Sequence, residues 1–218
     1  MAKYNESFDY GDELSLRAYN MLIGVILLYG FVVNYFMCKY FTNVFAEWNF
    51  TLVVIGYFVV AISGIIINRT SENPLVSFIG YNMVVVPVGV VLSLALKEYD
   101  TQAIMNAIIV TGGVTALMLV VSTIKPDVFL SMGRALLIAL TCAVVIELLC
   151  LLFGIIMPGI WDALIAVLFA LYIGYDWAKA QDDEHTLDNA VDACVDLYLD
   201  IINLLLRVLG SSSKSKDD

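Results

Sequence analysis

Apolar residues in this chain come in long, nearly unbroken runs separated by short polar punctuation. Seven runs stand out, near Tyr19 to Met37, Phe50 to Ile67, Leu75 to Leu96, Ala103 to Ile124, Ser131 to Gly154, Pro158 to Ala178 and Ala190 to Leu209. Runs of about 18 or more residues are long enough to cross a hydrocarbon layer about 30 Å thick as helices. Each run therefore predicts a transmembrane helix, its ends placed to within about 2 to 4 residues. The connections are short, so the pattern predicts an all-α integral membrane protein, one seven-helix domain over residues 1–218 with its chemistry among the helices. The polar ends, residues 1–16 and 211–218, read as disordered tails. The start lacks the basic region, short apolar core and small-residue cleavage site of a removable signal peptide, so the first helix is expected to be retained.

Composition agrees: 61% of residues are hydrophobic and 15% charged, and the mean hydropathy is +0.88, well beyond the usage of a water-soluble domain. Charge placement orients the chain. With the N-terminus inside, the cytoplasmic side carries Lys3, Arg17, Arg69, Lys125, Arg134 and Lys179, whereas the outer loops carry only Lys39 and Lys97. Arg207, Lys214 and Lys216 then lie outside, and the balance favours N-in, C-out. A net charge of −10 with no basic stripe excludes nucleic acid as a partner and suits cations. The expected partners are membrane lipid, cations and protons. The short N-terminal tail without a proline-rich extension favours a bacterial plasma membrane over an internal eukaryotic one.

Cys38, Cys142, Cys150 and Cys194 are scattered over several helices without metal-ligand spacing and read as small buried apolar residues. His185 is the only histidine, which excludes a histidine-based triad or a multi-histidine metal centre within one chain and leaves it a place in a solvated turn. No resident cofactor is expected.

Ionised groups in lipid are costly and need a partner or water, so function is sought among the intramembrane charges. These are Glu147 in the fifth helix, Asp176 near the end of the sixth, and Asp192, Asp196, Asp200 and Arg207 in the seventh. Asp192, Asp196 and Asp200 recur every four residues and share one face. The connection QDDEHTLDN reverses the chain, with Thr186 or Asp188 as the cap of the following helix. Residues equally far from the turn of such a hairpin lie level, and the midpoint of 176 and 200 falls in it. At about 1.5 Å per residue both lie about 18 Å from the turn, provided the sixth helix runs beyond Ala178. Two level carboxylates in a poorly solvated place share a proton and titrate as a unit. Either the pair is a pH-sensitive latch, or it is a permanent interhelical hydrogen bond worth about 0.6 to 2 kcal/mol.

GYDWAKAQDDEHTLDNAVDACVDLYLDIINLLLRVLG resembles the C-terminal signature of the Bax-inhibitor-motif family, the LYLDIIN segment followed by RVLG being its most specific part. STIKPDVFLSMG is similar to that family's connection between helices four and five, and PVGVVLS to its third helix. The resemblance implies six helices around a central seventh, a pH-sensitive calcium leak, and paired aspartates at Asp176 and Asp200. It also implies an arginine of the second helix near the pair, for which Arg69 is the candidate, as an ion-pair partner or as a solvated loop residue. Asp176 is followed by Trp177 where many members have Thr-Gln. The YDTQ at Tyr99 to Gln102 lies between the third and fourth helices and is not the equivalent position.

Glu147 would line an ion path or pack against another helix, and Asp192 and Asp196 would belong to the latch or the path. Asn82, Pro87 and Ser93 would loosen or kink the third helix. Asp182, Asp183 and Glu184 read as a solvated turn with weak cation attraction and no EF-hand spacing. A retinal protein is excluded because no lysine lies in an apolar run. In place of the GxGD of an intramembrane aspartyl protease the chain has LYLD, without the glycine that admits a substrate backbone. The reading is a non-enzymatic, pH-sensitive cation leak channel with calcium as cargo near Asp176 and Asp200. The alternatives are a proton-coupled cation exchanger, although no internal repeat is visible, and a non-conducting membrane regulator of partner proteins.

Overall fold

A computed structural model describes residues 13–157 and 159–214. Lys3 and Lys216, used in the topology argument, most of both tails and Pro158 lie outside them. The described chain is helical without strands: α1 (Leu16–Tyr40), α2 (Thr42–Ala46), α3 (Phe50–Thr70), α4 (Pro74–Leu96), α5 (Thr101–Ile124), α6 (Pro126–Ser131), α7 (Gly133–Phe153), α8 (Gly159–Asp182) and α9 (Leu187–Lys214). The seven apolar runs correspond to the seven long helices, and the short α2 and α6 lie in connections. Six of the seven, all but α9, are long and apolar enough to cross a membrane. Acidic residues remove α9 from that set, yet none of its residues from 187 to 211 is exposed. The six apolar helices instead expose large side chains such as Leu52, Leu151 and Leu152, an arrangement stable only where lipid covers them. This is an all-helical, multi-pass membrane protein.

Local chemistry fixes the helix ends. Ser15, Asn49 and Asp100 cap α1, α3 and α5 by accepting the amide N–H groups of Ala18, Leu52 and Ala103 at 3.3, 3.2 and 2.8 Å. Asp100 of the YDTQ segment is thus a cap. α7 ends at Gly154, whose φ of 64° lets Ile155 N–H reach the Cys150 carbonyl at 2.8 Å. Thr186 Oγ1 accepts Asn189 N–H at 3.1 Å and caps α9.

The chain divides into two compact units. The first comprises residues up to Leu94 with Asp183–Val195. In it Tyr81 donates to the Ile26 carbonyl (3.1 Å) and Tyr29 to Asn82 Oδ1 (2.7 Å), joining α1 to α4. Ser77 of α4 donates to Asp188 Oδ1 at 2.7 Å, so this buried carboxylate, a candidate cap in the sequence, ties α9 to α4 instead. α3 and α4 cross at Gly64 and Gly80. Pro87 sits within an unbroken α4. With Tyr29, Trp48, Gly56 and Asn82 it lines an apolar groove of about 1000 Å³, whereas Ser93 bonds back to the Val90 carbonyl of its own helix.

The second unit comprises Ala95–Asp182 and the residues from Asp196 onward. Here α8 packs against α5, α6 and α7. Ser122 Oγ donates to the Gly174 carbonyl at 2.5 Å and Trp177 Nε1 to Thr123 Oγ1 at 2.9 Å, so the end of α5 grips α8 on both sides of Asp176.

Three sequence expectations are corrected. Of the four cysteines only Cys194 is buried, and Cys142 is exposed, because most of its helix faces outward. His185 is half-buried, its ring 4.6 Å from that of Tyr19 and its carbonyl accepting Leu14 N–H at 2.8 Å. The segment 211–214 continues α9, since nothing in SSSK stops a helix already propagating.

Candidate functional site

The second unit holds two clusters of charge, both where α8 meets the C-terminal part of α9. Asp200 is 7% exposed. Its carboxyl lies within hydrogen-bonding reach of Asp176, which is half-buried on α8, and Asp196, one turn earlier on α9, also acts on it. The Tyr172 hydroxyl lies in the field of both Asp176 and Asp200. Asp200 Oδ2 is buried without a hydrogen-bond donor. Ionised carboxylates only accept, so the contact becomes a hydrogen bond when one of the two carries a proton. α8 extends to Asp182, past the end of its apolar run, so Asp176 lies within the helix rather than at its end.

Seven residues beyond Asp200 on α9 lies Arg207. Its Nη2 is 2.7 Å from Glu147 Oε1 on α7 and its Nη1 is 3.2 Å from Asp162 Oδ1 on α8. Trp161 Nε1 donates to Glu147 Oε1 at 2.8 Å and holds that carboxylate in place. Glu147, without a charged neighbour in sequence, gains its partner from α9. Asp162, buried at 8% exposure, is the charged residue the sequence reading passed over. Equal height across the hairpin does not point to it, because 14 residues separate Asp162 from Asp176 on α8 and 7 separate Asp200 from Arg207 on α9, so the two pairs cannot both lie level.

The remaining candidates fall elsewhere. Asp192 belongs to the first unit, where it acts on Tyr19 and Cys194. Arg69 also belongs to the first unit, exposed in the last turn of α3, whereas Asp176 and Asp200 belong to the second. Asp182, Asp183 and Glu184 are exposed at the chain reversal.

Comparison with known proteins places this arrangement. Two uncharacterized proteins of Helicobacter pylori, from strains 26695 and J99, are 34% and 33% identical to this chain over 119 residues. The match covers 54% of this chain and 51% of each relative, so the chain spans about half the length of the curated relatives it matches. The family described as inhibitor of apoptosis-promoting Bax1 matches residues 12–215. That match takes in every described helix and both charge clusters, and the chain belongs to the Bax inhibitor family.

Proposed function

We propose that this protein is a non-enzymatic, pH-sensitive cation leak channel with calcium as its cargo, gated by the Asp176–Asp200 pair between α8 and α9. The observation that carries this reading is a buried carboxyl facing a second one across two helices, with one oxygen lacking a donor. With a single proton the two carboxyls hold each other. Removing that proton sets two negative charges against each other, and adding a second proton leaves two neutral acids with a weaker link, so departure in either direction loosens the contact. Asp196, one turn earlier on the same helix, adds a further negative charge beside the pair. No residue of α9 from 187 to 211 is exposed, so a change at this pair acts on a largely covered helix. The acidic balance of the chain suits a cation as cargo, and passing calcium would meet carboxylate oxygen, its preferred ligand.

The test is calcium entry into liposomes containing the purified protein, followed with a trapped indicator across a pH series. The reading requires a leak above that of protein-free liposomes that changes several-fold with pH. Absence of calcium movement at every pH rejects it.

A further inference from the structure

We propose that Arg207 is a tethered counter-cation that locks α7, α8 and α9 together in the second unit, and that this lock limits how readily cations pass. The inference rests on the leak reading for its consequence, but its geometry is independent of the carboxyl pair. One guanidinium from α9 is shared between Glu147 of α7 and Asp162 of α8. Trp161 fixes the Glu147 carboxylate, and Gly210 makes room for the contact, because a Cβ there would come within 3.3 Å of Asp162 Oδ2.

The charges explain why the cluster works as a lock. Two carboxylates face a single guanidinium, so withdrawing Arg207 leaves two partly buried negative groups on neighbouring helices without their shared cation. Their repulsion then pushes α7 and α8 apart. Arg207, Glu147 and Asp162 keep 25%, 31% and 12% of their side-chain surface exposed, so the ion pairs are neither fully screened by water nor sealed from ions.

The lock is also placed to feel the carboxyl pair. Arg207 follows Asp200 by two helical turns and lies on the same face of α9, about 10 Å along its axis. Asp162 and Asp176 are carried by the single helix α8. A shift of α9 along α8 that parts Asp176 from Asp200 therefore strains Arg207 against Asp162. The two devices answer different signals. A guanidinium stays protonated throughout the physiological range, so this lock yields to competing ions, whereas the carboxyl pair yields to protons.

Two variants in liposomes at fixed pH provide the test, Arg207→Gln and Glu147→Gln. The expected result is a calcium leak several-fold above wild type for both variants. Amide hydrogen exchange, read on the same proteins, is expected to quicken around residues 147–157 and 207–211 in Arg207→Gln. A lower leak in Glu147→Gln overturns the lock and assigns that carboxylate to the cation path. Unchanged amide exchange in Arg207→Gln overturns it as well. If no protein leaks calcium, wild type included, while exchange still quickens, the leak reading falls and the helix lock stands. Should Arg207→Gln fail to fold, Glu147→Gln, in which Arg207 keeps Asp162, decides on the same two readouts.

Discussion

Asn keeps the size of Asp and most of its hydrogen-bonding capacity while removing the titrating proton, which makes it the right probe of a carboxyl pair. Asp176→Asn and Asp200→Asn are each expected to flatten the pH dependence of calcium flux in liposomes. The two residues act through one shared proton, so the double variant should add little to either single one. Additive effects would mean two unrelated groups, and a full wild-type pH profile in both variants would reduce Asp200 to a structural hydrogen-bonding residue. The neighbours on α9 grade the effect. Asp196 acts on Asp200 directly, so Asp196→Asn should shift the profile without flattening it. Asp192 acts on Tyr19 and Cys194 in the first unit, and its substitution should shift the profile least.

Between lipid-facing helices there is no water to expel, and close approach depends on small side chains. The crossing of α3 and α4 shows what this demands: a Cβ on Gly80 would lie 2.6 Å from the Gly64 carbonyl oxygen, and one on Gly64 equally close to that of Gly80. The obstacle is backbone and cannot rotate away. Gly64→Ala and Gly80→Ala should each destabilise the protein by about 1–3 kcal/mol through overpacking, read as a lower thermal midpoint in detergent. Gly112→Ala provides the control, since a Cβ there meets nothing within 4 Å. Equal midpoints for all three would show that the crossing relaxes freely. The same element-scale view explains Trp177. Its indole bonds to Thr123 and anchors α8 to α5 directly beside Asp176, so the departure from Thr-Gln at this point is a support for the carboxylate.

At the scale of the whole molecule, a channel and an exchanger differ in whether protons must move with the cargo. A channel that merely senses pH passes calcium down its electrochemical gradient without a fixed opposing proton flux. Simultaneous indicators of calcium and of internal pH in the same liposomes should therefore show calcium entry that persists when the proton gradient is collapsed. A constant proton-to-calcium ratio would favour the exchanger and remove the channel from consideration.

Residue order alone dictates the solvent and the elements. Seven uninterrupted apolar runs have one stable outcome in lipid, because every backbone amide must be satisfied within its own helix, and the seven long helices follow those runs closely. It also singles out Asp176 and Asp200 as charges on the two helices that flank one reversal. The burial of α9 rests on packing. α9 carries more charge than the other long helices and yet has no exposed residue from 187 to 211, a property of its neighbours that no periodicity within the helix records. The partners of Glu147 were decided there too. Arg207 lies 60 positions away in sequence and reaches Glu147 across helices. A salt bridge between helices depends on their relative rotation about their axes, which side-chain packing sets and run length does not.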